Sequence, residues 1–236
     1  MKIALFGYGK MGKMIAQIAL ERGHTIVAKI DVDTPSVDYS GMDVAIDFSS
    51  PDAAFENIKG CLEHGIPVIS GTTGWLDSYE KAVAICKEHK GAFIYASNFS
   101  LGVNVFFELN TFLAGMMHSL PQYRAEIEEI HHTQKADAPS GTAITLAEGI
   151  IGKSAYRAWA LNGGEENKIP IHSKREGEVA GTHTVTYRSG IDTIEIKHTA
   201  HSREGFALGA VVAAEWIQGK EGVFGMKDVL NLNSRQ

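Results

Sequence analysis

Lys2-Ile3-Ala4-Leu5-Phe6-Gly7-Tyr8-Gly9-Lys10-Met11-Gly12 reads as a short apolar strand running straight into G-x-G-x-x-G. Met11, Ile15, Ile18 and Ala19 then recur at helical spacing until Gly23 stops the helix. Thr25 to Ile30 forms the next strand, and Asp31 stands at its end, 19 residues after Gly12. A glycine loop between strand and helix, followed by an acid at the end of the second strand, is the dinucleotide-binding fingerprint. In that pattern Gly7 allows the tight turn, Gly9 lets the backbone approach a pyrophosphate, and Gly12 permits close packing of helix on strand. Tyr8, Lys10 and Met11 complete the loop. Asp31 would accept hydrogen bonds from the ribose hydroxyls and repel a 2′-phosphate, which favours NADH. Lys10 and Lys29 are near enough in sequence to offset that repulsion, so NADPH stays open.

The same rhythm continues to about residue 100. Val44-Ala45-Ile46 is a strand; Ser50-Pro51 opens a helix with the stripe Ala54, Phe55, Ile58 and Leu62; Pro67 to Ser70 is a strand, Asp77 to His89 a helix, and Ala92 to Ala96 a strand. Strands that are apolar throughout and alternate with helices predict a Rossmann-like parallel sheet covered on both faces. Two loops after later strands, Gly71-Thr72-Thr73-Gly74 and Ser97-Asn98-Phe99-Ser100, suit a floor beneath a nicotinamide. Beyond residue 103 a helical stretch, Val105 to Met117, precedes longer alternating segments at 123–131, 181–187 and 193–198, the last two joined by a turn at Arg188-Ser189-Gly190. The expected fold class is therefore α/β. A dinucleotide-binding domain spans 1–102 and is completed by the C-terminal segment 208–236, which returns to helix. An α+β, mainly antiparallel domain spans 103–207 and serves substrate binding and oligomerisation.

Composition narrows the function. The 236 residues are 44% hydrophobic and carry a net charge of −6. That charge argues against nucleic-acid binding, because a phosphate-tracking surface needs a cationic excess. Cys61 and Cys86, the only cysteines, lie in apolar helix-like segments and read as reduced core thiols. No apolar run is long enough for a membrane span, and the first strand begins too early to follow a leader. A cytoplasmic protein with no membrane partner is expected.

The densest chemistry lies in His131-His132-Thr133-Gln134-Lys135-Ala136-Asp137-Ala138-Pro139-Ser140-Gly141-Thr142-Ala143. The segment follows an extended strand, so His131 and His132 point to opposite faces. An imidazole can give a proton near neutrality, and Lys135 is a second donor and a fixed cation. Ser140 is the N-cap of a helix whose first amides, at Gly141 and Thr142, suit a carboxylate. Asp137 reads as a partner for Lys135, not a base. No metal site is expected. Hydride from a nicotinamide, proton from a side chain and a site for an anion together indicate reduction of a C=N or C=C bond in a small carboxylate.

At this point the residues resemble a family. The run from His131 to Ala143 is similar to the H-H-x-x-K-x-D-A-P-S-G-T-A signature of the dihydrodipicolinate reductases, and the nucleotide loop, the Gly71 and Asn98 segments and Gly181-Thr182-His183 support the match along the chain. The resemblance implies reduction of a small cyclic dicarboxylate to tetrahydrodipicolinate in lysine and diaminopimelate synthesis, with NADH or NADPH, by a homotetramer. It implies His131 as proton donor and Lys135 as a second catalytic cation. It implies His132, Ser140, Gly141 and Thr142 as substrate contacts, and Gly7 to Gly12, Asp31, Gly71 to Thr73 and Ser97 to Ser100 as cofactor contacts. Two departures bear on the cofactor. Lys10 stands where the family often has arginine, and Asp31-Val32 where it often has glutamate and arginine. The loss of both arginines weakens the case for an NADPH preference. The segment Gly152 to Ile171 is expected to be a shortened or rearranged surface loop. A related amino-acid dehydrogenase would share Gly7 to Gly12 but not the whole signature, and a nucleotide-sensing module would gain nothing from a proton donor.

Overall fold

The structure is a computed structural model that describes residues 1–163 and 166–232. In chain order the elements are β1 Lys2–Phe6, α1 Lys10–Glu21, β2 Thr25–Ile30, β3 Val44–Asp47, α2 Pro51–Glu63, β4 Val68–Ser70, α3 Tyr79–Glu88, β5 Ala92–Tyr95 and α4 Leu101–Met117. Then follow β6 Arg124–His131, α5 Gly141–Ile151, β7 Ala158–Leu161, β8 Lys168–Arg175, β9 Gly181–Arg188, β10 Thr193–Ala200, α6 Glu204–Trp216, β11 Gly222–Phe224 and α7 Met226–Val229. The chain forms two units: Met1–Leu101 with the chain from Glu204 onward, and Gly102–Arg203. The C-terminal return thus starts at Glu204 and not at 208, because α6 begins a turn before its apolar stripe. The last four residues of the expected 208–236 segment lie outside the described residues.

The first unit is a six-stranded parallel sheet in the order β11-β5-β4-β3-β1-β2. Its strands bury both faces, which is why they read as unbroken apolar runs. On one face Ile3, Leu5, Ile46 and Ile94 pack with Ile15 and Ala19 of α1 and Ala210, Val211 and Ala214 of α6. On the other, Ala4, Phe6 and Phe93 pack with Ile58 and Leu62 of α2 and Ala82 and Cys86 of α3. Each fully buried Ile, Leu or Phe contributes about 1.5–3 kcal/mol relative to exposure. From β1 the chain passes to β2 on one side, while β3 lies on the other. The resulting switch point leaves a crevice beyond the carboxyl ends of β1 and β3, where ligands bind in such sheets. Cys61 and Cys86 are buried thiols.

The second unit is a five-stranded sheet in the order β10-β9-β6-β8-β7. The expected antiparallel pairs are β10 with β9 and β9 with β6, but β8 and β7 add two parallel pairings, so the sheet is mixed. Phe106, Leu113 and Met117 of α4 and Ala143, Leu146 and Ile150 of α5 cover one face, over Ile127, Ile171 and Val185. The expectation of a surface loop over Gly152 to Ile171 is corrected: the segment holds β7 and the start of β8, and its residues 164 and 165 lie outside the described residues. Pro170 lies within β8. It precedes the stretch Ile171–Arg175 that pairs with β6, so its missing N–H is not required on that side. No helix among the described residues is long and apolar enough to cross a membrane.

Candidate active site

In the first unit the three glycines of the loop play different parts. Gly7 has φ +86° and donates its N–H to Ile30 O at 2.8 Å. A Cβ on Gly7 would overlap the carbonyl of Phe48, and one on Gly12 would overlap the carbonyl of Gly7. Gly9, the N-cap of α1, has nothing within 4 Å of where its Cβ would be. The fold therefore needs Gly7 and Gly12 bare for its own packing, while the bare Cα of Gly9 faces open space at the positive end of α1. That is the fit a pyrophosphate requires.

A cleft of about 320 Å³ is lined by Gly7, Gly9, Asp31, Val32, Ser49 and Asn57, among others. Asp31 stands on its rim with its carboxylate fixed: Oδ2 accepts from the Tyr8 N–H at 3.2 Å and Oδ1 from the Val32 N–H at 2.9 Å. The Lys29 ammonium lies 4.3 Å from the centre of the Tyr8 ring, a cation–π contact that holds it at the loop.

The loops after β3 and β4 are tied together by Asp47, a residue the sequence did not single out. Its fully buried carboxylate accepts from Ser49 Oγ (2.6 Å) and Asn57 Nδ2 (3.1 Å) on one oxygen, and from Ser70 Oγ (2.9 Å) and Thr72 Oγ1 (2.8 Å) on the other. Burial still pushes its carboxyl above the ordinary value, against those four donors. The Thr72 hydroxyl is thus turned inward, and it also accepts from the Ser49 N–H; any ligand would meet its backbone. Gly71 packs on the Phe48 ring so closely that a Cβ would overlap it. Phe99 is buried in the core at the carboxyl end of β5, while Thr73 and Ser97 are exposed. Asn98 Oδ1 accepts from the Ser100 N–H at 2.9 Å and shapes that turn.

In the second unit, alternation along β6 buries Ala125, Ile127, Glu129 and His131 on one face. The apolar core thus grades into chemistry at the end of the strand. His131 is 7% exposed, and His132, just past the strand, is half-buried. Lys135 reaches both oxygens of Asp137 at 2.8 Å. Ser140 caps α5 as expected, its Oγ accepting from the Ala143 N–H at 3.2 Å. Gly141 and Thr142 follow in the first turn.

Sequence reasoning gave no role to Glu129 or Arg175, and took His183 only as part of a supporting match; all three surround these residues. Glu129 is fully buried. Its Oε2 accepts from the Ser140 N–H at 3.0 Å and lies 3.6 Å from His131 Nδ1, and its Oε1 accepts from Ser173 Oγ at 2.7 Å. Arg175, opposite His131 on β8, approaches Glu129 Oε1 at 3.4 Å and donates to the carbonyls of Lys135 (3.2 Å) and Asp137 (2.6 Å). It pins the loop that carries Lys135. His183, opposite Glu129 on β9, meets Ser140 Oγ at 3.1 Å. A signal for Glu129 existed, since a residue two before His131 on a strand shares its face. Arg175 had none, because it depends on β8.

Burial lowers the His131 imidazole below its ordinary value, and Lys135 and Arg175 lower it further, while Glu129 and Asp137 pull it back up. His183, pushed down to about 3 mainly by burial, is neutral at pH 7. Burial works to raise Glu129, yet donors at Ser140 and Ser173 and the charge of His131 outweigh it and hold the carboxyl below its ordinary value. Glu129, His131 and His183 bring one ligand-type atom each within 4.8 Å of the others. The Ser140 N–H and the Arg175 guanidinium already engage the oxygens of that carboxylate.

Comparison with known proteins gives concordant matches. The family model for the N-terminus of dihydrodipicolinate reductase matches residues 33–99, and the one for its C-terminus matches residues 102–230. A 4-hydroxy-tetrahydrodipicolinate reductase of Christiangramia forsetii is 62% identical over 234 residues, 98% of each chain. One of Methanoculleus marisnigri is 40% identical over 195 residues, 80% of this chain and 76% of its own. The dipicolinate-bound dihydrodipicolinate reductase from Paenisporosarcina sp. TG-14 has the same fold, with a TM-score of 0.79 over 95% of this chain and 97% of that one at 22% identity.

Proposed function

The chain belongs to the dihydrodipicolinate reductase family, and from that premise we propose that it reduces 4-hydroxy-tetrahydrodipicolinate to tetrahydrodipicolinate in lysine and diaminopimelate synthesis. The observation that carries the site-level reading is the joint placement of His131, Lys135 and the α5 start at the end of β6. Bound in the first unit's cleft, a reduced pyridine nucleotide supplies the hydride. The loop Gly7 to Gly12 and the start of α1 hold its pyrophosphate, Asp31 its ribose, and Gly71 to Thr73 with Ser97 to Ser100 the nicotinamide end. In the second unit the α5 start at Ser140, Gly141 and Thr142 receives one substrate carboxylate. His132 and the Lys135 ammonium hold the rest of the dianion. The Lys135–Asp137 pair is part-exposed and worth at most about 1 kcal/mol, so Lys135 is released to substrate at little cost. His131 gives the proton. A bound dianion offsets the charges of Lys135 and Arg175, which raises the imidazole again and lets it carry a proton at the moment it is needed.

The cytoplasm, where the buried Cys61 and Cys86 stay reduced, suits this chemistry, and we assign a homotetramer as in the family. The assay is nucleotide oxidation with freshly made product of the synthase that precedes this step. Oxidation should depend on that compound, and its absence with both NADH and NADPH overturns the function. Asp31 makes NADH the better cofactor, and Asp31→Asn should shift the NADH:NADPH ratio of kcat/KM toward NADPH by about tenfold, the effect of removing one charge repulsion. A wild-type preference for NADPH would overturn that reading of Asp31.

A further inference from the structure

We propose that Glu129 is a positioning residue that couples the carboxylate-binding start of α5 to the proton donor: its Oε2 holds the Ser140 N–H and faces His131 Nδ1, which leaves Nε2 as the nitrogen that delivers the proton. The inference rests on the reading of His131 as the acid. It goes beyond that reading by naming the delivering atom and the group that sets it.

Three observations carry it. First, Glu129 has no exposed surface, and its two oxygens are divided. Oε1 is anchored by Ser173 and Arg175 on β8, while Oε2 accepts from the Ser140 N–H and has His131 Nδ1 at 3.6 Å and His183 Nε2 at 3.8 Å. Second, His131 Nδ1 is buried and has no hydrogen-bond partner among the described residues, yet it lies 3.6 Å from Glu129 Oε2. A buried N–H cannot remain unanswered without cost, and catalytic hydrogen bonds are commonly long before substrate arrives. Third, the other ring nitrogen lies beside Gly181: a Cβ there would come within 3.2 Å of Nε2. The bare glycine keeps space next to the nitrogen that faces away from the carboxylate.

The step follows. The imidazolium carries protons on both nitrogens, with Nδ1–H directed at Glu129. The Nε2–H bond breaks, its electron pair stays on the ring, and the proton passes to the substrate as the double bond is reduced. His131 is left neutral with its proton on Nδ1. Ser140 is the hinge of the coupling. A carboxylate docking at the first turn of α5 draws on the segment whose N–H binds Oε2, so substrate binding and the aim of Oε2 at His131 are set by one side chain. The charged and titratable groups that face His131 are Glu129 on its own strand, Lys135 and Asp137 on the following loop, Arg175 on β8 and His183 on β9. Glu129 contributes the largest support for the imidazolium among them.

The test uses the full-length protein with Glu129→Gln, which keeps an acceptor for Ser140 but removes the charge. The expected result is a kcat at least about tenfold lower, with nucleotide KM within about twofold. The limb on which kcat/KM falls with rising pH should move down by about one pH unit, because the imidazolium loses its counter-charge. An unchanged limb with kcat within twofold overturns the proposal. His131→Gln separates the two readings. If that variant keeps full kcat, the acid assignment itself fails; if it is inactive while Glu129→Gln behaves as wild type, only the role of Glu129 fails. A second measurement needs no variant. Nitrogen NMR of the neutral His131 ring in the wild type should show the Nδ1–H tautomer, and an Nε2–H tautomer overturns the proposal even if Glu129→Gln does not fold.

Discussion

A methyl group added to Gly7 and one added to Gly9 would meet opposite fates. At Gly7 it would overlap the Phe48 carbonyl at a φ of +86°, so Gly7→Ala combines a backbone clash with a left-handed conformation and should cost about 2–4 kcal/mol. At Gly9 the space is empty and φ is −72°, so Gly9→Ala should fold with a melting temperature within a few degrees of wild type. It should nevertheless weaken NADH binding by about tenfold or more, because the methyl stands where the pyrophosphate approaches. Thermal melts beside fluorescence titration separate the two, and a Gly9→Ala protein that binds NADH normally would remove the pyrophosphate from that loop. The glycine spacing was legible from the sequence because it is local. Asp47 was not, since its meaning comes from four donors spread over the loop after β3, helix α2, the end of β4 and the loop that follows it.

At the scale of the element, one row crosses the second sheet: Ser173 on β8, Glu129 on β6, His183 on β9 and His198 on β10 stand in register. The alternation of β6 and the N-cap of α5 could be read in advance. The row could not, because the start of β8 was read as part of a surface loop and register is a long-range property. The row also makes stability depend on pH. His183 titrates at about 3 in the fold and at about 6.5 unfolded. Between those values the unfolded chain binds the extra proton, so stability is lost as the pH falls below 6.5. From pH 6.5 to 5 the loss from this group is about 2 kcal/mol. His131, lowered in the fold as well, acts in the same direction. The melting temperature should therefore drop on acidification over this range, and His183→Gln should flatten the drop. An unaltered slope in the variant would assign the acid sensitivity elsewhere.

At the scale of the molecule, the two-unit organisation followed from the change in strand rhythm near residue 103, but surface left for partners does not show in such patterns. Val105, Leu109, Phe112 and Met116 lie four, three and four residues apart on α4 and are 46–67% exposed, and Ile191 at the β9–β10 turn is 92% exposed. A connected apolar stripe on one helix is a common mark of a protein–protein contact, and the homotetramer proposed above would provide copies of this chain to bury such surface. Association that favours the folded state ties stability to concentration by mass action. Sedimentation at micromolar concentration should give a four-chain species. The melting temperature should rise when the protein is concentrated a hundredfold, because dissociation accompanies unfolding. A one-chain species with a melting temperature independent of concentration would show that the stripe is tolerated in water and that the tetramer is not part of this protein's native state.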